Sequence, residues 1–205
     1  MNLIFLEEHK MAKTIINGVN VNELTETINA IKKEPELGKF KFRARNTWVE
    51  GGNNKSRIKS FYGAGEEDKN RTQSFVLEAD EPQILLGKDK GPNPVEIALH
   101  ALAACLTSTF IYYAAARGIE VEKLESKLEG ELDVRGFLDL SKDVRNGFQN
   151  IKVNFTVKSN ASEEQLEDLC ELAQKHSPVF DIVTNQVPVE VNIQRKTGGA
   201  QRMAA

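Results

Sequence analysis

Two cysteines and three histidines are the residues of this 205-residue chain best suited to nucleophilic or ligand chemistry. No CxxC or HxxxH spacing joins them, so no zinc cluster and no other metal site is expected. So few thiols also exclude a disulfide-rich secreted scaffold. Cys105 stands in His100-Ala-Leu-Ala-Ala-Cys105-Leu-Thr-Ser-Thr109, midway along an apolar segment. Ala101, Ala104, Ser108 and Thr109 lie within about one helical turn of it, and side chains this small leave room for a close helix neighbour or a small reactant. These residues leave two readings open. Either a thiolate at Cys105 acts as a nucleophile, or Cys105 is a small buried hydrophobe. Cys170 shares an apolar helical stripe with Leu166, Leu169 and Ala173, which favours a core position for it. His100 precedes Cys105 by five residues, which places it off to the side of the three- and four-residue helical neighbours. It is therefore read as a satisfied buried histidine rather than a base.

Positioning these groups requires a long helix. Pro94 opens it as a first-turn proline, and Gly118 closes it after Arg117 as a left-handed cap. The apolar run Val95 to Ala116 is long enough to cross a membrane. Glu96, His100 and Thr107-Ser108-Thr109 interrupt it, so it is read as a helix buried inside a protein. Met1 to Leu6 is apolar too briefly, before Glu7-Glu8, for a signal peptide, and cytoplasmic location without a membrane partner is expected.

Strands and turns surround the helix. Thr14 to Val21 pairs around Asn17-Gly18, and Asn22 is expected to cap a helix carrying Leu24, Ile28 and Ile31, which Pro35 and Gly38 end. Lys39 to Trp48 alternates as a strand, Gly51-Gly52-Asn53-Asn54 signals a hairpin, and Arg57 to Tyr62 returns. Thr72 to Ala79, Val121 to Val134 and the alternation of Ile151, Val153, Phe155 and Val157 add three strands. Ser162 and Gln165 form a capping box for a helix through Lys175. Ser177-Pro178 breaks that helix, and Val187, Val189, Val191 and Ile193 form a last strand. The order is α+β. Residues 1–37 read as an extension, 38–196 as the main domain and 197–205 as a disordered tail. An all-round apolar helix needs cover on every side, which one sheet cannot give in so short a chain. A homodimer with its long helices packed together is expected. The net charge of −3 excludes the strongly basic balance of a duplex-binding protein, and no nucleic-acid partner is expected.

Gly91-Pro-Asn-Pro-Val-Glu96, followed nine residues later by Cys105 in an alanine-rich helix, resembles the motif of the OsmC/Ohr family. Trp48-Val-Glu-Gly-Gly52, Ala114-Ala-Ala-Arg-Gly-Ile-Glu120, Val153-Asn-Phe-Thr-Val157 and His176-Ser-Pro-Val179 extend the resemblance over roughly residues 39 to 195. It implies an intertwined homodimer with mixed sheets wrapped around long central helices. It also implies reduction of organic hydroperoxides or hydrogen peroxide by a cysteine thiolate that becomes a sulfenic acid, without flavin, metal or other cofactor. Cys105 matches the peroxidatic position.

Three departures accompany these matches. Ser177 occupies the place of the family's second, resolving thiol, with His176 beside it as a site-lining candidate. Cys170 lies seven residues earlier, about 10.5 Å along an unbroken helix, too far to stand in at a separation a disulfide accepts. Val95 stands where the peroxidase branch has an acid, with Glu96 next to it. Asn53 follows the Gly-Gly turn where the branch has arginine, which leaves Arg57, Arg45 and Arg43 as candidates to favour a Cys105 thiolate. The implied catalytic set is Cys105, Arg57, Arg45 and Glu96, with Cys170 as second-thiol candidate and an outside thiol as reductant. The competing reading is a non-catalytic ligand-binding or structural protein on the same fold.

Overall fold

The structure is a computed structural model that describes residues 14–195. The N-terminal hexapeptide and the tail from residue 197 lie outside the described residues. Ile15–Ile16 (β1) and Val19–Asn20 (β2) pair across a turn at Asn17 and Gly18, whose φ values of 52° and 77° are left-handed. The strand ends at Asn20, so the following helix, Val21–Lys33 (α1), is capped by Asn20 and not by Asn22. The Asn20 side chain accepts from the backbone N–H groups of Asn22 and Glu23. This part of the expected extension is docked on the rest of the chain. Asn17 donates to the Ile119 carbonyl (2.9 Å) and accepts from the Val121 N–H (2.8 Å), so one side-chain amide replaces a strand neighbour.

One long hairpin follows, broken by an irregularity. Lys41–Phe42 (β3) pairs with Phe61–Gly63 (β6), and Arg45–Glu50 (β4) pairs with Asn53–Ile58 (β5). Glu66–Glu67 (β7) adds to β6, and Phe75–Ala79 (β8) adds to β5. Pro94–Ala116 (α2) comes next, then Val121–Leu132 (β9), a short helix Val134–Phe137 (α3) and Phe148–Ser159 (β10). Glu163–His176 (α4) and Pro178–Thr184 (α5) complete the regular structure. The fold is α+β, and every strand pairing among the described residues is antiparallel.

The core lies between α2, the β9–β10 pair, α4 and α5. Alternation turns Leu124, Leu128, Ile151, Val153, Phe155 and Val157 inward and the intervening charged residues outward. Leu102, Leu106, Phe110 and Ala114 of α2 meet Leu169 and Ala173 of α4 over this surface, and the Phe110 and Phe155 rings lie 5.9 Å apart. Gly118, at φ 72°, ends α2 as the sequence predicts, with its N–H donating to the Ala115 carbonyl.

One expectation is met on one side only within a single chain, and one needs correction. α2 is long and apolar enough to cross a membrane, yet it is not enclosed: its buried residues are Leu102, Leu106, Phe110, Ala114 and Ala115 out of 23. Its contacts are those of a core helix with one open side. The expected last strand finds no ladder partner among the described residues, and Val189, Val191 and Ile193 are 80%, 87% and 98% exposed. An alternating segment has two chemically distinct faces, but a strand also needs a sheet edge to pair with, and among the described residues this segment pairs with none.

Candidate functional site

Asn93 and Glu96 set where α2 begins. The Asn93 side chain accepts from the Val95 N–H, and the Glu96 carboxylate accepts from the Asn93 N–H at 2.8 Å in a capping box. Glu96 is exposed and held in this cap, so the structure gives it a helix-starting role and does not bring it to Cys105. Cys105 lies about 13.5 Å further along the axis.

Cys105 sits 100° around the helix from buried Leu106. It shares a stripe with Ala98, Ala101, Ser108 and Tyr112, none of which is buried. Its thiol is free and half-buried. Its carbonyl accepts from the Ser108 and Thr109 hydroxyls at 3.1 and 2.8 Å, which satisfies both hydroxyls within the helix. His100 is exposed, contrary to the expected buried histidine.

The arginine candidates stand elsewhere. Arg45 and Arg57 are direct cross-strand partners on β4 and β5, and Arg43 forms a two-pronged ion pair with Glu67 at 2.8 Å. The register puts Arg45, Thr47, Lys55, Arg57, Val76 and Glu78 on one face of the β4–β5–β8 sheet. Asn46, Trp48, Asn54, Ser56, Phe75 and Leu77 occupy the other. Among the described residues the main packing partners of α2 are β9, α4 and α5, not this sheet. The chain therefore does not bring Arg45 or Arg57 together with Cys105.

Cys170 and Ser177 belong to the packing of α4 and α5. Cys170 lies against the core cluster; burial pushes its thiol pKa up, partly offset by the Gln174 amide at 3.8 Å. Ser177 is 1% exposed. Its hydroxyl accepts from the Phe180 N–H at 3.2 Å and so caps α5. His176 is exposed and stacks on Tyr113 with ring centroids 5.2 Å apart. A cavity of about 380 Å³ includes Leu102, one turn from Cys105, but not Cys105 itself; Arg145, Phe148, Ile151, Val153 and Phe180 are among its other lining residues.

The sequence reading missed the role of Asp80 and the burial of Asn53. Asp80 burial raises its pKa, but N–H donors from Glu81, Lys90 and Lys88, with the Lys90 charge, outweigh this and hold the carboxyl below its usual range. It thereby clamps the loop leading to α2. Asn53 is 1% exposed and donates to the Glu78 carboxylate (3.0 Å) and the Ala79 carbonyl (3.3 Å). Neither had a sequence signal beyond the Gly-Gly turn and the following Pro82.

The OsmC-like protein family model matches residues 87–192, more than half of the chain, and the chain belongs to this family. Its fold is similar to that of the OsmC-like protein of Mycoplasma pneumoniae, with a TM-score of 0.56 at 20% identity, covering 71% of this chain and 89% of that one. An osmotic stress induced and detoxification response protein of Psychrobacter arcticus matches with a TM-score of 0.52 at 12% identity, over 68% of this chain and 85% of its own. Among curated proteins none matches the sequence.

Proposed function

We propose that the chain is an OsmC-like, thiol-dependent peroxidase that works with a single reactive cysteine in a homodimer. The observation that carries this is Cys105: a free thiol, half-open, on the uncovered stripe of α2, in a member of this family. In this reading the Cys105 thiolate attacks one oxygen of a hydroperoxide ROOH and the O–O bond breaks. The sulfur becomes a sulfenic acid, and the alkoxide takes a proton from solvent to leave as ROH. Ser177 caps α5 and cannot form a disulfide, and Cys170 is a core thiol. An outside thiol therefore attacks the sulfenic acid and releases water, and a second one frees Cys105 as the two reductant sulfurs join. The balance is ROOH plus two thiols to ROH, water and one disulfide.

The dimer is supported by what the monomer leaves bare. One side of α2, the apolar residues Trp48, Phe75 and Leu77 of the β4–β5–β8 sheet, and Val187 to Ile193 all lack cover. A second copy that covers α2 also supplies any cation that reaches Cys105, with Arg45 and Arg57 the candidates from its sheet. The proposed setting is cytoplasmic, without cofactor, nucleic acid or membrane.

Peroxide consumption by purified protein with cumene hydroperoxide and dithiothreitol tests this. Cys105→Ser is expected to abolish the rate, and Cys170→Ser to keep it. A wild-type rate in Cys105→Ser overturns the proposal. A second reading, a non-catalytic binding protein, is favoured by Asn53, whose amide is spent on Glu78 where the peroxidase branch has its arginine. That reading predicts no protein-dependent peroxide loss and a Cys105 thiol that alkylates no faster than an ordinary free cysteine.

A further inference from the structure

At the N-terminal end of α2 two adjoining cavities, of about 430 and 290 Å³, share Glu81, Leu85, Val134 and Phe137. They lie between the turn at Gly51-Gly52, the short 3-10 turn Gln83–Leu85 with the residues after it, and α3. Cys105 lines neither. The size suits a small organic ligand.

The walls are firmly held. Asp80 grips the loop through three N–H groups. The loop closes so tightly that a Cβ at Gly87 would lie 1.7 Å from the Glu81 carbonyl oxygen, and one at Gly52 would lie 2.9 Å from Glu81 Cγ. On the other side Asp133 caps α3, and Gly136 packs against the Arg145 carbonyl. Upon this rigid frame the apolar side chains are left open: Ile84 is 88%, Leu86 94% and Phe137 75% exposed. Leu86 also adopts a left-handed backbone, φ 66°, which side chains with a Cβ disfavour. Val95, in place of the family's acid, makes the inner wall apolar as well.

Glu81 is the one charged residue lining either cavity. One of its carboxylate oxygens accepts from the Asn93 amide, and the other has no partner among the described residues. Asn93 and Asn146 are the other polar side chains on the inner wall, and an acid in such a mostly apolar cavity complements a cation or a hydrogen-bond donor and disfavours an anion. We propose that this cleft binds an amphipathic molecule with an amine or hydroxyl head set against Glu81 and an apolar body between Leu85, Val134 and Phe137. The site is separate from Cys105 and independent of the peroxidase proposal.

Calorimetric titration of the full chain with octylamine, octanol and octanoate at neutral pH tests this. Saturable binding of one octylamine per chain is expected, with octanol weaker and octanoate at least tenfold weaker than the amine. Glu81→Gln, which can still accept from Asn93, should bring amine and alcohol to within about twofold. Leu138→Glu, at a half-exposed rim position where folding is not at stake, should weaken octanol at least fivefold. Cys105→Ser should bind as the wild type does. The proposal is overturned if neither amine nor alcohol saturates, if octanoate matches octylamine, if Leu138→Glu leaves octanol unchanged, or if Cys105→Ser loses binding.

Discussion

The β9–β10 pair and the β4–β5–β8 sheet are built by the same rule and end in opposite circumstances. Both are antiparallel; β9–β10 alternates an apolar with a polar face, whereas β4–β5–β8 sets Trp48, Phe75 and Leu77 among Asn46, Asn54 and Ser56 on one face and charged residues on the other. In β9–β10 the apolar face is covered by α2, α4 and α5. In β4–β5–β8 the residues Trp48, Phe75 and Leu77 are 71%, 60% and 46% exposed. The difference teaches that alternation settles which face seeks cover, while chain topology settles whether the same molecule supplies it.

The sharpest break of this comparison is a pair of phenylalanine truncations. Phe110→Ala removes the ring that meets Phe155 and should cost about 3–5 kcal/mol in urea unfolding. Phe75→Ala, at dilutions where the chain is monomeric, should cost no more than about 0.5 kcal/mol. Equal costs would mean that the second sheet is buried within one chain. Next in size, Leu77→Asp puts a charge on the bare face. It should weaken self-association at least tenfold, about 1.4 kcal/mol, in sedimentation velocity, with monomer stability unchanged. An unaltered association constant would remove that face from the proposed interface.

Smaller effects probe the clamps at the ends of the two regions. Ser177→Ala removes the α5 cap and should lower stability by about 1 kcal/mol, while Ser177→Asn keeps capping chemistry but must fit a buried site. Asp80 predicts a pH dependence. Its folded carboxyl titrates below its unfolded value of about 3.9, so its stabilisation is complete above that value and fades as pH falls through the lower, folded one. Melting temperatures across pH 2 to 7 should show the wild type ahead of Asp80→Asn at neutral pH, with the gap closing in acid. A gap that widens on acidification contradicts the depressed carboxyl.

Local signals were legible where neighbours in sequence do the work. The Ser162–Gln165 capping box, the Gly118 stop and the strand alternation of β9 and β10 all follow from contacts within a few residues. The Asn20 cap was misplaced by two residues because both asparagines can cap, and the strand end at Asn20 decides between them. Ser177 was legible as a break but not as a buried cap, since its burial depends on how α5 turns back against α2. Glu96 shows the same limit: its acid was visible, but the capping bond that occupies it was not foreseen.

The linear order of residues by itself determined that this is an α+β chain with a long apolar helix, that Cys105 rides on that helix among small side chains, and that Ser177 cannot complete a disulfide. Residue type and short-range spacing suffice for each of these. Only the tertiary structure decided that α2 keeps one side open, that Arg45 and Arg57 face each other away from Cys105, and that Glu81 is the one charged residue lining a mostly apolar cleft. Those facts depend on which distant segments meet, and such meetings are set by packing and closure across the whole chain rather than by any local run of residues.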